Sequence, residues 1–407
     1  GRCAMTVSRR SFVGGIAGAA IAVPGMTMAT ALPSPPSTVP SDRFDPWIEV
    51  IPAAIQQNVR TLSRLAGRRP ILAVIKNNGY GLGLLEAARA LEPMDEVVGF
   101  AVVKTEEAIR LSEAGVTKPI LLMALVAEAD APDLVAQGVH LALCTDEAPD
   151  LAVRAAERVG KPVAAHIYLD TGMSRMGVPY HRAAPFLERV ARLPIRIQGT
   201  FMGLTEDREF DREQVRRLTG LAVEARARGV SLGALHAASS DAVFNFPEDG
   251  LDLVRPGISL FGGYPSDAGN ERTIATLQPA LRLRARVVRV EQLRTGDSVS
   301  YGRRYVAERP TWVATLPMGH TDGVPRTGVK GARVLIGGGL HPVIGAVSAS
   351  HTIVELGDEP KVRIGDVGTL VGPDDPAIHP NVVATVTGMS VYDILMHLNP
   401  TLPKVVV

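Results

Sequence analysis

Short apolar runs alternate with helix-like patterns along the first two-thirds of the chain. The apolar runs have the length of strands and occupy residues 72–75, 99–103, 120–123, 141–144, 165–169, 195–199, 232–236 and 251–254. Around the earlier runs, apolar residues recur at helical spacing over 55–65, 84–91, 105–114, 131–137 and 149–159. Strands that alternate with helices indicate a parallel sheet, and eight of them predict a (β/α)8 barrel.

The pattern changes after about residue 275. Apolar and polar residues alternate over 281–287, and Gly-Asp pairs at 296–297, 357–358 and 365–366 mark turns. This combination is typical of an antiparallel β domain. We therefore predict a barrel at 47–274 and a β domain at 275–407. A first strand near 47–50 either opens the barrel or joins the β domain.

The N-terminal segment has the features of an export signal. Arg9 and Arg10 precede a Gly- and Ala-rich apolar stretch that ends in a small-x-small site at residues 29–31. This order predicts a twin-arginine-type signal at 1–31, a periplasmic or extracellular destination, and no membrane contact after cleavage. A buried or membrane-spanning helix is disfavoured, because Pro24 and Gly25 interrupt the run well short of a span. Residues 32–46 are Pro-rich and predict a linker.

Composition fits a globular protein with two domains. Of the 407 residues, 46% are hydrophobic, and the net charge is +1, which implies no nucleic-acid partner. The two cysteines, Cys3 and Cys144, exclude a disulfide framework. Cys144 ends a predicted strand, so a small core residue is its simplest interpretation.

Lys76 directly follows the first predicted barrel strand. The carboxyl ends of parallel strands carry the chemistry in such folds. A lysine enclosed there by apolar residues loses hydration, so its amine pKa falls and it becomes suited to Schiff-base formation and proton transfer. For an arbitrary lysine, extension from the strand end into solvent would be the commoner explanation. The nearby glycines are not spaced as the G-x-G-x-x-G of a dinucleotide loop.

The stretch around this lysine resembles a known motif. Residues 72–83, LAVIKNNGYGLG, resemble the A-V-(V/I)-K-x-N-x-Y-G-x-G motif of the alanine racemase family. The resemblance implies a fold type III enzyme that uses pyridoxal 5'-phosphate, with Lys76 carrying the cofactor covalently and Tyr80 binding its phosphate. It also implies a barrel followed by a β domain, and it covers nearly all of the chain after the linker.

Two further barrel segments resemble binding motifs of the family. Residues 170–177, DTGMSRMG, resemble D-T-G-M-x-R-x-G, which implies that Arg175 helps to hold the substrate carboxylate. A guanidinium suits this role through its bidentate geometry. Residues 236–240, HAASS, resemble H-x-A-N-S, which implies that Ser240 is a phosphate ligand.

Residues 254–258, VRPGI, resemble the V-R-P-G-I segment of the family. The resemblance implies that Arg255 faces the pyridine nitrogen, and that Gly257 and Ile258 offer backbone N–H groups to the phosphate. Taken alone, the segment also fits an ion-paired arginine at a Pro-Gly turn. A guanidinium is effectively always protonated and cannot protonate the ring, which favours proton exchange at Cα. Related decarboxylases place a glutamate at this position.

Residues 296–302, GDSVSYG, resemble the G-D-x-V-x-Y-G turn that supplies a second base in the family. The resemblance implies that Tyr301 acts from the partner subunit, opposite Lys76, in a homodimer whose sites are shared. By itself, Tyr301 would more often be an interface aromatic residue.

Several positions depart from the family. His320 stands in place of an entrance tyrosine, and Ala349 and Ser350 stand in place of a Met-Asp pair that narrows the alanine site. These three are the remaining candidate substrate-binding residues, and the shorter side chains predict a wider entrance. Tyr168 occupies the place of a lysine that is carbamylated in many members. Residues 199–203 lack a pyridine-stacking histidine, and residues 398–403 lack a phosphate-binding tyrosine.

These residues together predict a pyridoxal-phosphate-dependent amino-acid racemase that acts through Lys76 and Tyr301. The predicted substrates are alanine or a broader set such as serine and larger residues, and no metal site is predicted. The alternatives are a lyase or decarboxylase on the same fold, which Arg255 and Tyr301 disfavour, and a binding protein without catalysis, which the two retained bases disfavour.

Overall fold

The computed structural model describes residues 43–247 and 251–407. The predicted export signal at 1–31, and the predicted linker up to residue 42, lie outside the described residues. Among the described residues, no helix is long and apolar enough to cross a membrane. The same part of the chain contains no group of three or more His, Cys, Asp or Glu side chains that could hold a metal ion.

Strand β1 (Trp47–Val50) comes first and is described below with the C-terminal sheet. The barrel sheet that follows has seven parallel strands in ring order and a short additional strand beside the fifth of them. In chain order its strands are β2 (Ile71–Val74), β3 (Val97–Val102), β4 (Ile120–Leu122), β5 (His140–Leu143), β6 (Val163–Asp170), the additional β7 (Val178–Pro179), β8 (Ile195–Phe201) and β9 (Ala234–His236). All four residues of β2 are buried, as expected of a strand covered on both faces.

The barrel is closed by an eighth extended segment, residues 252–256, which lies between β9 and β2. Leu253 pairs with His236 at the end of β9, and Val254 pairs with Ile71 at the start of β2, both in parallel orientation. The predicted run at 251–254 therefore lies where the eighth strand is expected, and backbone hydrogen bonds along 252–256 join it to the β2 segment on one side and to the β9 segment on the other. Cys144 is buried at the end of β5, as a core residue.

Helices pack around the barrel strands and connect them. They are α1 (Pro52–Leu65), α2 (Lys76–Tyr80), α3 (Leu84–Leu91), α4 (Thr105–Glu113), α5 (Ala131–Ala136), α6 (Ala148–Val159), α7 (Ala183–Val190), α8 (Arg208–Ala227) and α9 (Ser240–Asn245). The five helical patterns named from the sequence correspond to α1, α3, α4, α5 and α6.

The C-terminal domain is built on a nine-stranded sheet in the order β11-β14-β17-β16-β15-β18-β10-β1-β19. Its strands, with a separate two-stranded ribbon of β12 and β13, are β10 (Leu281–Arg286), β11 (Arg289–Leu293), β12 (Ser298–Val299), β13 (Tyr305–Val306), β14 (Thr311–Leu316), β15 (Arg333–Ile336), β16 (Gly339–Ile344), β17 (Thr352–Gly357), β18 (Val367–Val371) and β19 (Lys404–Val406). Two helices follow β18: α10 (Pro380–Thr387) and α11 (Val391–Met396).

Strand β1 belongs to this C-terminal sheet. It pairs antiparallel with β10 and parallel with β19, so both of its neighbours come from the other end of the chain. All other pairs in the sheet are antiparallel. The predicted architecture, a barrel followed by an antiparallel β domain, is confirmed, and β1 takes the second of its two predicted places.

Candidate active site

A pocket of about 600 Å³ opens at the carboxyl ends of the barrel strands. It brings together every site residue predicted from the barrel sequence: Lys76, Tyr80, Arg175, Ser240, Arg255, Gly257 and Ile258. A cavity of this size is typical of a site that holds a cofactor or a small ligand. The predicted residues come from segments that are far apart in sequence, so the barrel geometry is what makes them neighbours.

Lys76 lies two residues beyond β2 and begins α2, whose backbone after Lys76 forms a left-handed turn and not a right-handed α-helix. The four residues that follow it all have φ between 52° and 60°, a region that L-residues rarely adopt in succession. Asn78 anchors the turn: its backbone N–H donates to Glu107 Oε1 at 2.9 Å, and its Oδ1 accepts from the Leu84 N–H at 3.0 Å. These contacts hold the strained backbone of the turn in place, and the backbone in turn fixes the direction of the Lys76 side chain.

The surroundings of Lys76 favour its neutral amine. Burial lowers the pKa of Lys76, and the Arg175 and Arg255 cations lower it further, while the Glu107 carboxylate opposes them. A neutral amine can act as a nucleophile or accept a proton, which an ammonium group cannot do. The lowered pKa agrees with the sequence-based expectation for this lysine, and its role in Schiff-base formation and proton transfer stays a prediction.

Backbone N–H groups and hydroxyls converge on one side of the pocket. Ser240 Oγ accepts from the backbone N–H of Gly257 at 2.9 Å and of Ser259 at 3.3 Å. Tyr80 Oη approaches the same place so closely that a Cβ on Gly257 would lie 2.1 Å from it. Only glycine at position 257 leaves room for the Tyr80 hydroxyl. Such a set of hydroxyls and backbone N–H groups suits the oxygens of a phosphate group.

Tyr392, in α11, also lines the pocket and corrects one expectation. The resemblance to the family points to residues 398–403 as the place of a phosphate-binding tyrosine, and no tyrosine stands there. In the structure, Tyr392 reaches the pocket that contains Tyr80. Burial raises the pKa of Tyr80 and of Tyr392, and the carboxylates near Tyr392 add to its shift. Both phenols therefore stay protonated near neutral pH and can donate hydrogen bonds.

Arg255 is held on two sides by the barrel. One terminal nitrogen lies 2.9 Å from His236 Nδ1, and the other donates to the Met202 carbonyl at 2.7 Å and to the Ala237 carbonyl at 3.3 Å. Burial lowers the pKa of Arg255 to about 10. The guanidinium thus remains protonated near neutral pH, and within residues 43–247 and 251–407 it has no carboxylate partner of the kind expected of a structural ion pair.

Two positions that depart from the family are filled by other side chains. Met173 Sδ would lie only 2.7 Å from a Cβ at Gly203, so this thioether occupies the space beside the segment that lacks the histidine. Tyr168, in place of the carbamylated lysine, is buried and stacks on Phe201 with ring centroids 4.2 Å apart. Phe201 in turn lies 5.2 Å below the Arg255 guanidinium. Aromatic packing here replaces a charged contact.

The predicted site residues of the β domain lie outside this pocket. Tyr301 is 75% exposed and follows Ser300, whose Oγ donates to the Ala346 carbonyl at 2.8 Å. His320 donates its backbone N–H to Ser348 in the same 346–350 segment, which includes Ala349 and Ser350. Tyr301, His320, Ala349 and Ser350 thus belong to one region of the β domain, apart from the Lys76 pocket of their own chain.

Sequence reasoning missed several residues of the site. Tyr392 lies in a short helix with no strong pattern, and Glu107 looks like an ordinary acidic residue in the first turn of α4. His236 begins the HAASS segment, but its contact with Arg255 depends on the packing of neighbouring strands. No local pattern marks Tyr392, because the packing of α11 against α2 is what brings it to the pocket.

Two family models match the chain: the N-terminal domain of alanine racemase over residues 50–265 and the C-terminal domain over residues 280–406. An alanine racemase of Carboxydothermus hydrogenoformans is 32% identical over 366 residues, which cover 89% of this chain and 99% of the relative. One of Symbiobacterium thermophilum is 34% identical over 332 residues, covering 80% and 87%. A solved alanine racemase of Clostridium difficile 630 has a TM-score of 0.83 at 25% identity, covering 91% of this chain and 96% of that one.

Proposed function

The chain belongs to the alanine racemase family and is an amino-acid racemase, and from this premise we propose that it uses pyridoxal phosphate to interconvert L- and D-amino acids in a site shared by two subunits. The observation that carries the proposal is the Lys76 pocket. There a lysine of lowered pKa lies in one cavity with a protonated Arg255 and a set of donors suited to phosphate.

The residues present fit pyridoxal phosphate. Ser240, Tyr80, Tyr392 and the backbone N–H groups at Gly257 and Ile258 would hold its phosphate, and Lys76 would carry it covalently. When bound, this cofactor withdraws electrons from an attached amino acid and makes its Cα proton acidic. The missing side chain at Gly257 is what allows the Tyr80 hydroxyl to lie beside these donors.

Racemisation requires proton transfer on both faces of Cα. Lys76 Nζ, held by the left-handed turn, takes or returns the proton on one face, and its lowered pKa makes the neutral, proton-accepting amine more accessible than in a free lysine. Tyr301 Oη serves the opposite face from a second subunit, which agrees with its exposure in its own chain. The two bases then work in alternate order for the two directions of the reaction.

Two arginines orient the substrate and select the reaction. Arg175 holds the substrate carboxylate and prevents its loss as carbon dioxide. Arg255 cannot give up its proton to the ring nitrogen at neutral pH, which favours proton exchange over the lyase or decarboxylase alternative. A panel of L- and D-amino acids, each separated by chiral chromatography after incubation, tests this proposal. Decarboxylation products, or no turnover of any member, would contradict it.

We further propose that the substrate range extends beyond alanine, because Ala349 and Ser350 are shorter than the family's Met-Asp pair. Replacing them together, Ala349→Met with Ser350→Asp, is expected to narrow the range toward alanine. One methylene in an apolar pocket changes a preference by roughly 1–3 kcal/mol, so turnover of larger substrates should fall by at least about tenfold relative to alanine. The cofactor spectrum should not change.

A matched control places a methionine where no substrate passes. Val223→Met, on the exposed face of α8, should leave the ratio of alanine to larger substrates unchanged. If the native protein racemises alanine alone and the double substitution changes nothing, Ala349 and Ser350 do not line the entrance.

The sequence of residues 1–31 supports a further proposal, that the chain is exported by the twin-arginine route as a folded protein. Changing Arg9 and Arg10 to lysine should leave the protein in the cytoplasmic fraction. An unchanged distribution between the cytoplasmic and exported fractions would contradict it.

A further inference from the structure

Three histidines form a continuous hydrogen-bonded row through the barrel, which ends on Arg255. His140 Nδ1 lies 3.2 Å from His166 Nε2, and His166 Nδ1 lies 3.0 Å from His236 Nε2. His236 Nδ1 lies 2.9 Å from the Arg255 guanidinium. We call His140, His166 and His236 the histidine row. The proposed function has assigned no role to its first two members.

The row reaches from one end of the barrel to the other. His140 is the first residue of β5, and it lines a cavity of about 270 Å³ at the amino ends of the strands, together with Arg196 and Gln198. His166 lies within β6, and His236 ends β9 beside the candidate active site. The row thus links the face remote from the chemistry to the arginine inside the pocket.

Gly199, in β8, makes the central contact of the row possible. A Cβ at this position would lie 2.7 Å from His166 Nδ1 and 2.9 Å from His236 Nε2. Both distances are too short for a carbon, so any side chain at 199 would separate the two rings. The φ of Gly199 does not lie in the left-handed region, so close approach rather than backbone conformation accounts for this glycine.

The hydrogen bonds define where each proton lies. A guanidinium can only donate, so His236 Nδ1 must accept and its proton must sit on Nε2. That N–H donates to His166 Nδ1, which places the His166 proton on Nε2 as well. The same step repeats at His140. Burial lowers the pKa of all three rings, to about 3 for His166, which keeps them neutral, as this order requires.

We propose that His140 and His166 are positioning residues that act through His236 to fix the orientation of the Arg255 guanidinium. In this order each ring donates through Nε2 and accepts through Nδ1. Rotation of a ring would break these hydrogen bonds, so the ordered row resists rotation of its members and of the arginine at its end. The positioning role rests on the proposed function, whereas the order of protons along the row does not.

The proton order can be tested without cofactor. In protein labelled with ¹⁵N-histidine, long-range proton–nitrogen correlation spectra should show the Nε2–H tautomer for all three rings at pH 7.5. His379 provides an internal reference. Its Nδ1 accepts from the Asn381 backbone N–H at 3.2 Å, so it should show the same Nε2–H tautomer independently of the histidine row. A single Nδ1–H or charged ring in the histidine row would overturn the proposal.

Two substitutions at the partly exposed His140 test the coupling. His140→Leu removes the terminal acceptor, so the ring nitrogen signals of His166 should shift away from those of a single tautomer while those of His379 stay fixed. His140→Gln offers an amide oxygen as acceptor and should restore the native signals. Gly199→Ala is a second break, expected to shift the His166 and His236 signals together. Unchanged His166 signals in His140→Leu would refute the coupling.

The kinetics of the enzyme with its cofactor bound give a separate test. His140→Leu should lower kcat several-fold with little change in KM, and His140→Gln should recover the loss, because the row affects Arg255 rather than substrate binding. An intact proton order with an unchanged kcat would overturn the positioning role. If the protein neither bound cofactor nor racemised any amino acid, the proposed function would fail while the tautomer result stood, so the two failures are distinguishable.

Discussion

Replacing Lys76 by alanine is expected to abolish racemisation and covalent cofactor attachment together. Lys76 is the only one of the two proposed bases that lies in the barrel pocket, and it is also the proposed attachment point. Removing a positioned acid–base group alone costs about 10²–10⁴-fold in rate, so the loss here should exceed about 10³-fold. The measurements are chiral chromatography and peptide mapping after borohydride treatment, which should locate the cofactor on Lys76 in the native protein.

A control separates this effect from a general loss of positive charge. Lys361→Ala changes an exposed lysine of the β domain and should retain activity and the cofactor absorption band. Recovery of the borohydride-fixed cofactor on a different lysine would refute the assignment of Lys76. So would a Lys76→Ala protein that still racemises its substrate at the native rate.

Mixing two inactive variants is expected to restore activity if Tyr301 acts across a subunit interface. Tyr301→Phe removes the second base and Lys76→Ala the first, so each homodimer lacks one base at both sites. After subunit exchange at equal concentrations, half of the dimers are mixed and each has one intact site. Activity should then rise to about a quarter of the native value, measured against each variant incubated alone.

Because Tyr301 is exposed in its own chain, the mixing experiment tests directly whether it acts in the site of the partner. In its own chain the phenol lies with His320 and the 346–350 segment, apart from the Lys76 pocket. If heterodimers form, as followed by two differently sized tags, and activity stays at the level of the separate variants, Tyr301 does not complete the partner's site. Phenylalanine preserves the packing of the ring, so misfolding is a poor alternative explanation.

Local sequence patterns predicted those parts of the structure whose conformation is determined by residues close together in the sequence. The apolar runs located the barrel strands, and the position of Lys76 just after one of them was enough to place it at the mouth of the barrel. The Gly-Asp pairs marked three turns correctly, and each glycine has a φ between 89° and 94°. In each case the determining interactions span only a few residues.

Other features depend on contacts between distant segments and left little trace in the sequence. The left-handed turn after Lys76 exists because Glu107, almost thirty residues later, accepts from Asn78. Tyr392 reaches the pocket because α11 packs against that turn, as the Asn77 contact with Met396 Sδ at 3.4 Å illustrates.

The place of β1 bears on the order in which the protein can fold during synthesis. This strand is made before any of the barrel, yet its two neighbours, β10 and β19, are made more than two hundred residues later. Contacts of such long sequence separation form slowly, and an unpaired strand edge invites association with other chains in the meantime. The nascent barrel therefore has to carry an unpaired β1 until residues 281–286 have left the ribosome, and β1 keeps one open edge until residues 404–406 add the last strand of the sheet.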